Sequence, residues 1–353
     1  MKNICLITLN GNDNYGNKLQ HYAVQTICQR YGCNVQTLNF LYYNRVEFIL
    51  KHILKKMTRE RYRNFLSFDK KINYYNTVFY KKKVKIDKHI EKKFDYFLVG
   101  SDQVWNASIK TFADFYLLSF IKNKKKKISI SASFGIDEIP NEYKNIFKKN
   151  LESFNKISVR EEKGKEIIEK LGIEKKAEVL VDPTMLLSVD DWNKVIKKPK
   201  MLKSKKYILN YFLGELSEDK KIEIEKISVE NNCEIINLLD RNDKYYECGP
   251  GEFLYLEKNA FIVCTDSFHA CVFGMIYNKP FIVFDRVQDN IKNTNSRIDT
   301  FLKKFSLEDR RYNGKNITKE NLEHDYTEAY QILEEERKKS DAFLKNALNI
   351  KEQ

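Results

Sequence analysis

The chain has 353 residues, 42% of them hydrophobic and 13% aromatic. At this length single cores usually give way to two domains, and this composition excludes disorder as the dominant state. The formal charge is +14, but between Leu41 and Lys93 there are 16 Lys and Arg against 5 Asp and Glu, a net +11 that leaves +3 for the remainder. A uniformly basic nucleic-acid-binding surface is therefore not expected; the local excess reads equally as compositional bias or as a functional basic patch. Cys5, Cys28, Cys33, Cys233, Cys248, Cys264 and Cys271 sit mostly inside apolar runs and form no CxxC pair, so they are expected as reduced core residues. The apolar stretch Ile4 to Leu9 is shorter than a signal-peptide core, and no segment approaches the roughly 18 apolar residues of a membrane span. The cytosol is the expected compartment.

In chain order, Ile4 to Leu9 reads as a buried strand and Asn10 to Asn17 as a polar loop. Leu19, Tyr22, Ala23 and Ile27 then recur at helical spacing, with Gly32 as cap and Asn34 to Phe40 as the next strand. This βαβ opening implies a parallel sheet. The basic stretch 41–93 interrupts it and reads as an insertion with helical patterning from Val46 to Met57 and little strand character. Phe94 to Val99, Ile128 to Ser133, Lys156 to Val159 and Val179 to Val181 continue the strands. The polar stretch Ser188 to Lys205 marks a domain boundary. The second half alternates again: strands Tyr207 to Phe212, Cys233 to Asn237, Ala260 to Cys264 and Phe281 to Phe284, with helices Glu218 to Asn231 and Phe268 to Tyr277. A charged amphipathic helix from Thr327 to Leu348 closes the chain. The expected fold is α/β: two Rossmann-like parallel-sheet domains facing across a cleft, a glycosyltransferase-B-like architecture. Its parts are 1–187 on the acceptor side with the 41–93 insertion, 188–326 on the donor side, and 327–353 as a helix returning to the first domain.

Open α/β sheets place their sites at strand carboxyl ends, so the turns there carry the chemistry. Gly11 to Lys18 nearly spells a phosphate-binding loop, but Asn17 holds the lysine position and Lys18 the hydroxyl position, which argues against an ATPase. Gly16 and Asn17 at a helix start still suit an anion or sugar hydroxyls, or form a plain βα turn. Gly100-Ser101-Asp102-Gln103-Val104-Trp105-Asn106 gathers amides and a tryptophan that fit sugar recognition, while Trp105 as core and Asp102 as a helix cap is the structural alternative. Ser133 ends an alternating strand. Arg160 offers an anion-binding fork or pairs with Glu161. Thr265-Asp266-Ser267-Phe268-His269 joins a strand to an apolar helix, with Ser267 as expected N-cap and His269 in the first turn, where helix amides favour an anion. The chain has no Asp-x-Asp, HExxH, complete GxGxxG or GxSxG, so neither a metal nor a cofactor is expected.

Taken in order, Asn14-Tyr15-Gly16-Asn17, Val99 to Trp105, Ser131 to Gly135, Ser158-Val159-Arg160-Glu161, Val181 to Thr184 and Thr265 to His269 resemble the polysaccharide pyruvyl transferase family. The resemblance implies phosphoenolpyruvate as donor substrate and a sugar or polysaccharide precursor as acceptor, ketal-pyruvylated in capsules or cell-wall polymers. His269 is then the expected general acid, Arg160 the anion clamp, and Asp102 a base or acceptor-orienting group. Ser267 stands where many relatives carry arginine; Arg286 and Arg297 are candidates to replace that charge. A nucleotide-sugar glycosyltransferase of the same architecture is the alternative. The basic 41–93 stretch is expected to contact anionic membranes at their inner face, where a lipid-linked acceptor lies, or to pack on the first domain.

Overall fold

The computed structural model describes residues 1–11, 13–42, 53–57, 59–80, 83–86, 89–107, 113–285, 296–314 and 317–350. They form two compact units. Unit 1 comprises Met1–Arg59, Asp69–Leu186 and Glu336–Gln353; unit 2 comprises Glu60–Phe68 and Leu187–Glu335.

Unit 1 holds strands β1 (Asn3–Ile7), β2 (Asn34–Tyr42), β3 (Tyr74–Tyr80), β4 (Lys83–Lys85), β5 (Tyr96–Asp102), β6 (Lys127–Ala132), β7 (Ile157–Val159) and β8 (Ala177–Val179), in the order β4-β3-β2-β1-β5-β6-β7-β8. All neighbours are parallel except β3 and β4. The central strands are buried along nearly their whole length, the pattern of a parallel sheet covered on both faces. Helix α1 (Tyr15–Arg30) begins where the Asn14 side chain accepts a hydrogen bond from Asn17 N at 3.1 Å, and buries Leu19, Ala23 and Ile27 on one side.

The 41–93 stretch departs from expectation. It supplies β3 and β4, so it widens the sheet instead of merely interrupting it. Tyr74–Tyr80 is built of aromatic and β-branched residues that suit a strand, a signal hidden by the lysines around it. Residues 43–52, which carry most of the expected amphipathic helix, lie outside the described residues. Residues 53–57 are helical, with Ile53, Leu54 and Met57 exposed.

Unit 2 is built on β9 (Tyr207–Tyr211), β10 (Glu234–Asn237), β11 (Ile262–Thr265) and β12 (Phe281–Val283), a parallel sheet in the order β10-β9-β11-β12. Helix α2 (Glu60–Asp69) contributes all but its last residue to this unit. Arg61 Nη1 donates to the carbonyls of Tyr246 at 2.9 Å and Cys248 at 3.4 Å, Asn64 Nδ2 donates to Glu247 O at 2.8 Å, and Phe65 is fully buried. Gly249 passes so close that a Cβ there would meet the Asn64 carbonyl carbon at 2.9 Å. Of the remaining helices, α3 (Pro250–Asn259), α4 (Phe268–Ile276) and α5 (Ser296–Lys304) lie within unit 2. In the last helix, α6 (Thr327–Ala347), Tyr330 donates to Met275 O within unit 2. Further along it, Arg337 Nε donates to Met185 O and Asp341 accepts from the Tyr31 hydroxyl at 2.6 Å, both within unit 1. All seven cysteines are buried and unpaired by disulfides, and no described helix is long and apolar enough to cross a membrane.

Candidate active site

At the carboxyl edge of the unit 1 sheet the chain assembles a buried polar network. β5 runs further than expected and carries Gly100, Ser101 and Asp102 within the strand. Gly100 has φ +127°, and a Cβ there would lie 2.0 Å from Ile130 O, so only glycine permits this approach to β6. Asp102 has φ 65° and Ser131 φ 45°, left-handed conformations that L-residues hold only where the surroundings impose them. Gln20 of α1 donates to Thr8 Oγ1 at 2.7 Å and accepts from Ser101 N at 3.0 Å. The Ser101 hydroxyl lies 3.0 Å from both Ser131 O and Asp182 Oδ2. Ser133 N donates to Asp102 O at 2.9 Å, and the Gln103 side chain lies against Gly135.

Arg160 is the centre of this network. It is 5% exposed, and its guanidinium meets Glu161 through Nε at 2.9 Å, Asp182 through Nη1 at 2.9 Å and Asp102 through Nη2 at 3.5 Å. Burial works to lower its pKa, and Glu161, Asp182 and Asp102 outweigh burial and raise it above the ordinary value. Asp182 also accepts Thr184 N at 3.0 Å and Thr184 Oγ1 at 2.8 Å. A fork that faces three carboxylates is poorly suited to grip a further anion as the expected clamp; what it does here is hold Asp102 and Glu161 in place.

The structure also separates the alternatives at two other turns. Trp105 is 1% exposed, donates through Nε1 to Tyr116 O at 3.1 Å, and packs on Phe134 and Phe154 at ring distances of 5.3 and 5.8 Å. It is core, not a sugar-stacking face. Gly16 and Asn17 do open α1, but the lysine of the near-phosphate loop is consumed internally. Lys18 Nζ is buried against Asn10 Oδ1 at 2.7 Å and Asp69 Oδ1 at 2.6 Å, and Tyr74 shares both acceptors.

In unit 2 the turn after β11 leads into α4. Asp266 accepts from Leu213 N at 2.7 Å and Gly214 N at 2.8 Å, and Thr265 Oγ1 donates to Tyr211 O at 2.6 Å, so the ends of β9 and β11 are tied together. His269 is 7% exposed in the first turn of α4, edge-on to Phe268 at 5.2 Å. Phe268 packs on Phe301 of α5. Ser267 occupies the N-cap position but makes no capping bond through its side chain; its backbone N donates to Thr265 Oγ1 at 3.0 Å. Burial raises the Tyr211 pKa, while the Arg61 charge opposes the rise. Arg297 is half-buried on α5, and Arg286 lies outside the described residues.

Gln20, Thr8, Asp182 and Arg61 were missed as site-forming residues. Gln20 left one trace, a polar residue on the buried side of an otherwise apolar helix. Arg61 left none, because its environment is made by residues near position 247.

The geometry thus offers ionisable side chains at the carboxyl ends of two parallel sheets. The family model for polysaccharide pyruvyl transferase matches residues 14–287, which take in α1, the ends of β5 to β7 and the turn from β11 to α4. No curated protein matches the sequence. Among solved structures, the chain is similar to UGT89C1 of Arabidopsis thaliana complexed with UDP-L-rhamnose (TM-score 0.48, 9% identity, 99% of this chain and 93% of that one). It is also similar to the UDP-GlcNAc 2-epimerase of Neisseria meningitidis bound to UDP-GlcNAc (TM-score 0.46, 13% identity, 95% and 99%). With a family match over well more than half of its length, the chain belongs to the polysaccharide pyruvyl transferase family.

Proposed function

We propose that the protein transfers the pyruvyl group of phosphoenolpyruvate to two hydroxyls of one sugar in a polysaccharide or its precursor, forming a ketal and releasing phosphate. The observation that carries this reading is His269, a nearly buried imidazole in the first turn of α4. Amides at a helix start and the positive end of its dipole favour an anionic substrate, and an imidazole beside an anion is suited to donate a proton. Family membership supports the same assignment.

The chemistry needs one proton on carbon and two oxygen nucleophiles. His269 protonates the methylene carbon of the enol, and the central carbon becomes oxocarbenium-like. One sugar hydroxyl attacks that carbon and loses its proton, and phosphate departs with the electrons of its C–O bond. The second hydroxyl then attacks and loses its proton, closing the ketal. Of the two protons released, one restores His269 and one leaves with phosphate. Asp102, fixed by Arg160 and by its left-handed backbone, takes the proton of an acceptor hydroxyl or orients it. Arg160 acts as a positioning residue. Ser101, Gln103 and Ser133 shape the backbone around Asp102, and Ser267 with Phe268 sets the approach to His269.

Incubation with phosphoenolpyruvate and a polysaccharide acceptor in D2O tests the proposal. The expected result is phosphate release together with a ketal methyl group carrying one deuterium. Release of UDP from a UDP-sugar, with no phosphate released from phosphoenolpyruvate, overturns it in favour of a glycosyltransferase.

A further inference from the structure

Lys2, Asp95, Lys126 and Lys156 each stand one residue before a strand of the unit 1 sheet: β1, β5, β6 and β7 respectively. Because these strands are parallel, the four residues gather at the amino-terminal edge, opposite the edge that carries Asp102 and Arg160. There they line an open pocket of about 700 Å³, and Lys125, Asn123, Asn155 and Asn346 join them.

The positive charge at this edge is only partly compensated. Lys2 donates to the carbonyls of Leu348 and Asn349, and Lys126 to those of Glu91 and Phe94 at 2.6 Å. Of the nearby carboxylates, Asp95 accepts from Asn3 N and Glu91 from the amides of Lys122 and Asn123. Among the described residues, no carboxylate pairs with Lys125, Lys156 or the adjacent exposed Lys124. Burial lowers the pKa of Lys127 and Lys175; at Lys127 Glu91 opposes this and Lys124 adds to it, and at Lys175 Lys124 adds to it and Glu152 opposes.

The lining also restricts the chemistry of an occupant. Apart from Tyr96, whose ring has Lys2 Nζ 5.8 Å from its centroid and whose hydroxyl accepts from Asn349 at 2.8 Å, and Met1, the lining is polar or charged. Ammonium groups that seek anions, set among amides that pair with hydroxyls, match a molecule rich in hydroxyls and bearing carboxylates. The volume is that of a small-molecule site.

We propose that this pocket binds a carboxylate-bearing sugar of a glycan chain, holding the polymer at a point remote from the transfer site. The identification of the ligand rests on the proposed pyruvyl transfer, because each ketal added to a polymer leaves one carboxylate on a hydroxylated ring. Lys125 and Lys156 bind the carboxylate, and Asn123, Asn155 and Asn346 bind ring hydroxyls.

Calorimetric titration of the full chain with an oligogalacturonate tests this. Its methyl ester serves as the neutral control, and Lys125→Gln/Lys156→Gln and Asn155→Ala serve as variants. Wild type should bind the acid form at least tenfold more tightly than the ester, the double variant should lose at least tenfold, and Asn155→Ala severalfold. Phosphate release on a short soluble acceptor should be unchanged in all variants. Absent binding, equal affinity for the ester, or unaltered affinity in the double variant overturns the proposal. So does a double variant that keeps its glycan affinity but no longer sediments with phosphatidylglycerol vesicles, since the lysines then face a membrane. The titration contains no phosphoenolpyruvate. Glycan binding without pyruvyl transfer therefore refutes the proposed reaction alone, and transfer without glycan binding refutes the pocket alone.

Discussion

Arg160→Met separates a buried organiser from an anion clamp. The substitution keeps most of the side-chain volume and removes a cation that stands 2.9 Å from Glu161, 2.9 Å from Asp182 and 3.5 Å from Asp102. Asp182 is fully buried and Glu161 and Asp102 nearly so, and breaking such a pair from one side costs about 3–5 kcal/mol because the charge left behind stays desolvated. For a cooperative unit of this size each kcal/mol shifts Tm by about 2–4 °C, which gives a fall of roughly 6 °C or more. Differential scanning calorimetry reads it directly. Adding Asp182→Asn to Arg160→Met should recover part of the loss, so that the two substitutions are strongly non-additive. A variant that melts within about 2 °C of wild type, yet no longer binds phosphoenolpyruvate, refutes this reasoning and restores Arg160 as a substrate clamp.

Four further outcomes are expected. His269→Ala should lower kcat by about 10²-fold or more with a far smaller change in donor affinity, measured by steady-state kinetics and titration; undiminished turnover removes His269 as the acid. Thr265→Val should cost about 1 kcal/mol or more in chemical denaturation, because the Thr265 hydroxyl donates to Tyr211 O at 2.6 Å and accepts from Ser267 N at 3.0 Å; a variant as stable as wild type contradicts that. Glu257 on α3 is fully buried, with neither carboxyl oxygen hydrogen-bonded, and burial raises its pKa well above the ordinary carboxylate value. Its neutral form therefore suits the fold fully below the unfolded pKa of about 4.3, and stability is lost as pH rises towards the folded value. Glu257→Gln should flatten the decline in Tm between about pH 5 and 8, and parallel profiles contradict the assignment. Finally, the exposed Ile53, Leu54 and Met57 beside Lys55, Lys56 and Arg59 should bring the protein to anionic vesicles. At about 1 kcal/mol per charge, replacing the three basic residues by glutamine should weaken sedimentation roughly 10²-fold, and undiminished binding refutes the role.

Which parts of this architecture are readable without coordinates follows from how local each cause is. Strands such as Ile4 to Leu9 and Tyr207 to Phe212 announce themselves because a parallel strand buried on both faces must be apolar throughout. The turn from Thr265 to His269 is likewise legible, since a strand, a cap-like residue and an apolar helix follow one another within a dozen positions. Tyr74–Tyr80 is not, because the lysines on either side conceal a strand whose partner β2 lies more than 30 residues earlier.

The functional roles divide in the same way. The sequence by itself determined two parallel α/β units, the family's series of strand-end turns, and His269 at a helix start, all products of short-range pattern. Only the tertiary structure decided that Arg160 faces three carboxylates, that Trp105 is core, that Thr265 and Asp266 tie the end of β11 to β9, and that Arg61 is built into unit 2. Those facts depend on which distant side chains share a buried space, and there desolvation makes the identity of the partner determine what a charged or aromatic residue does.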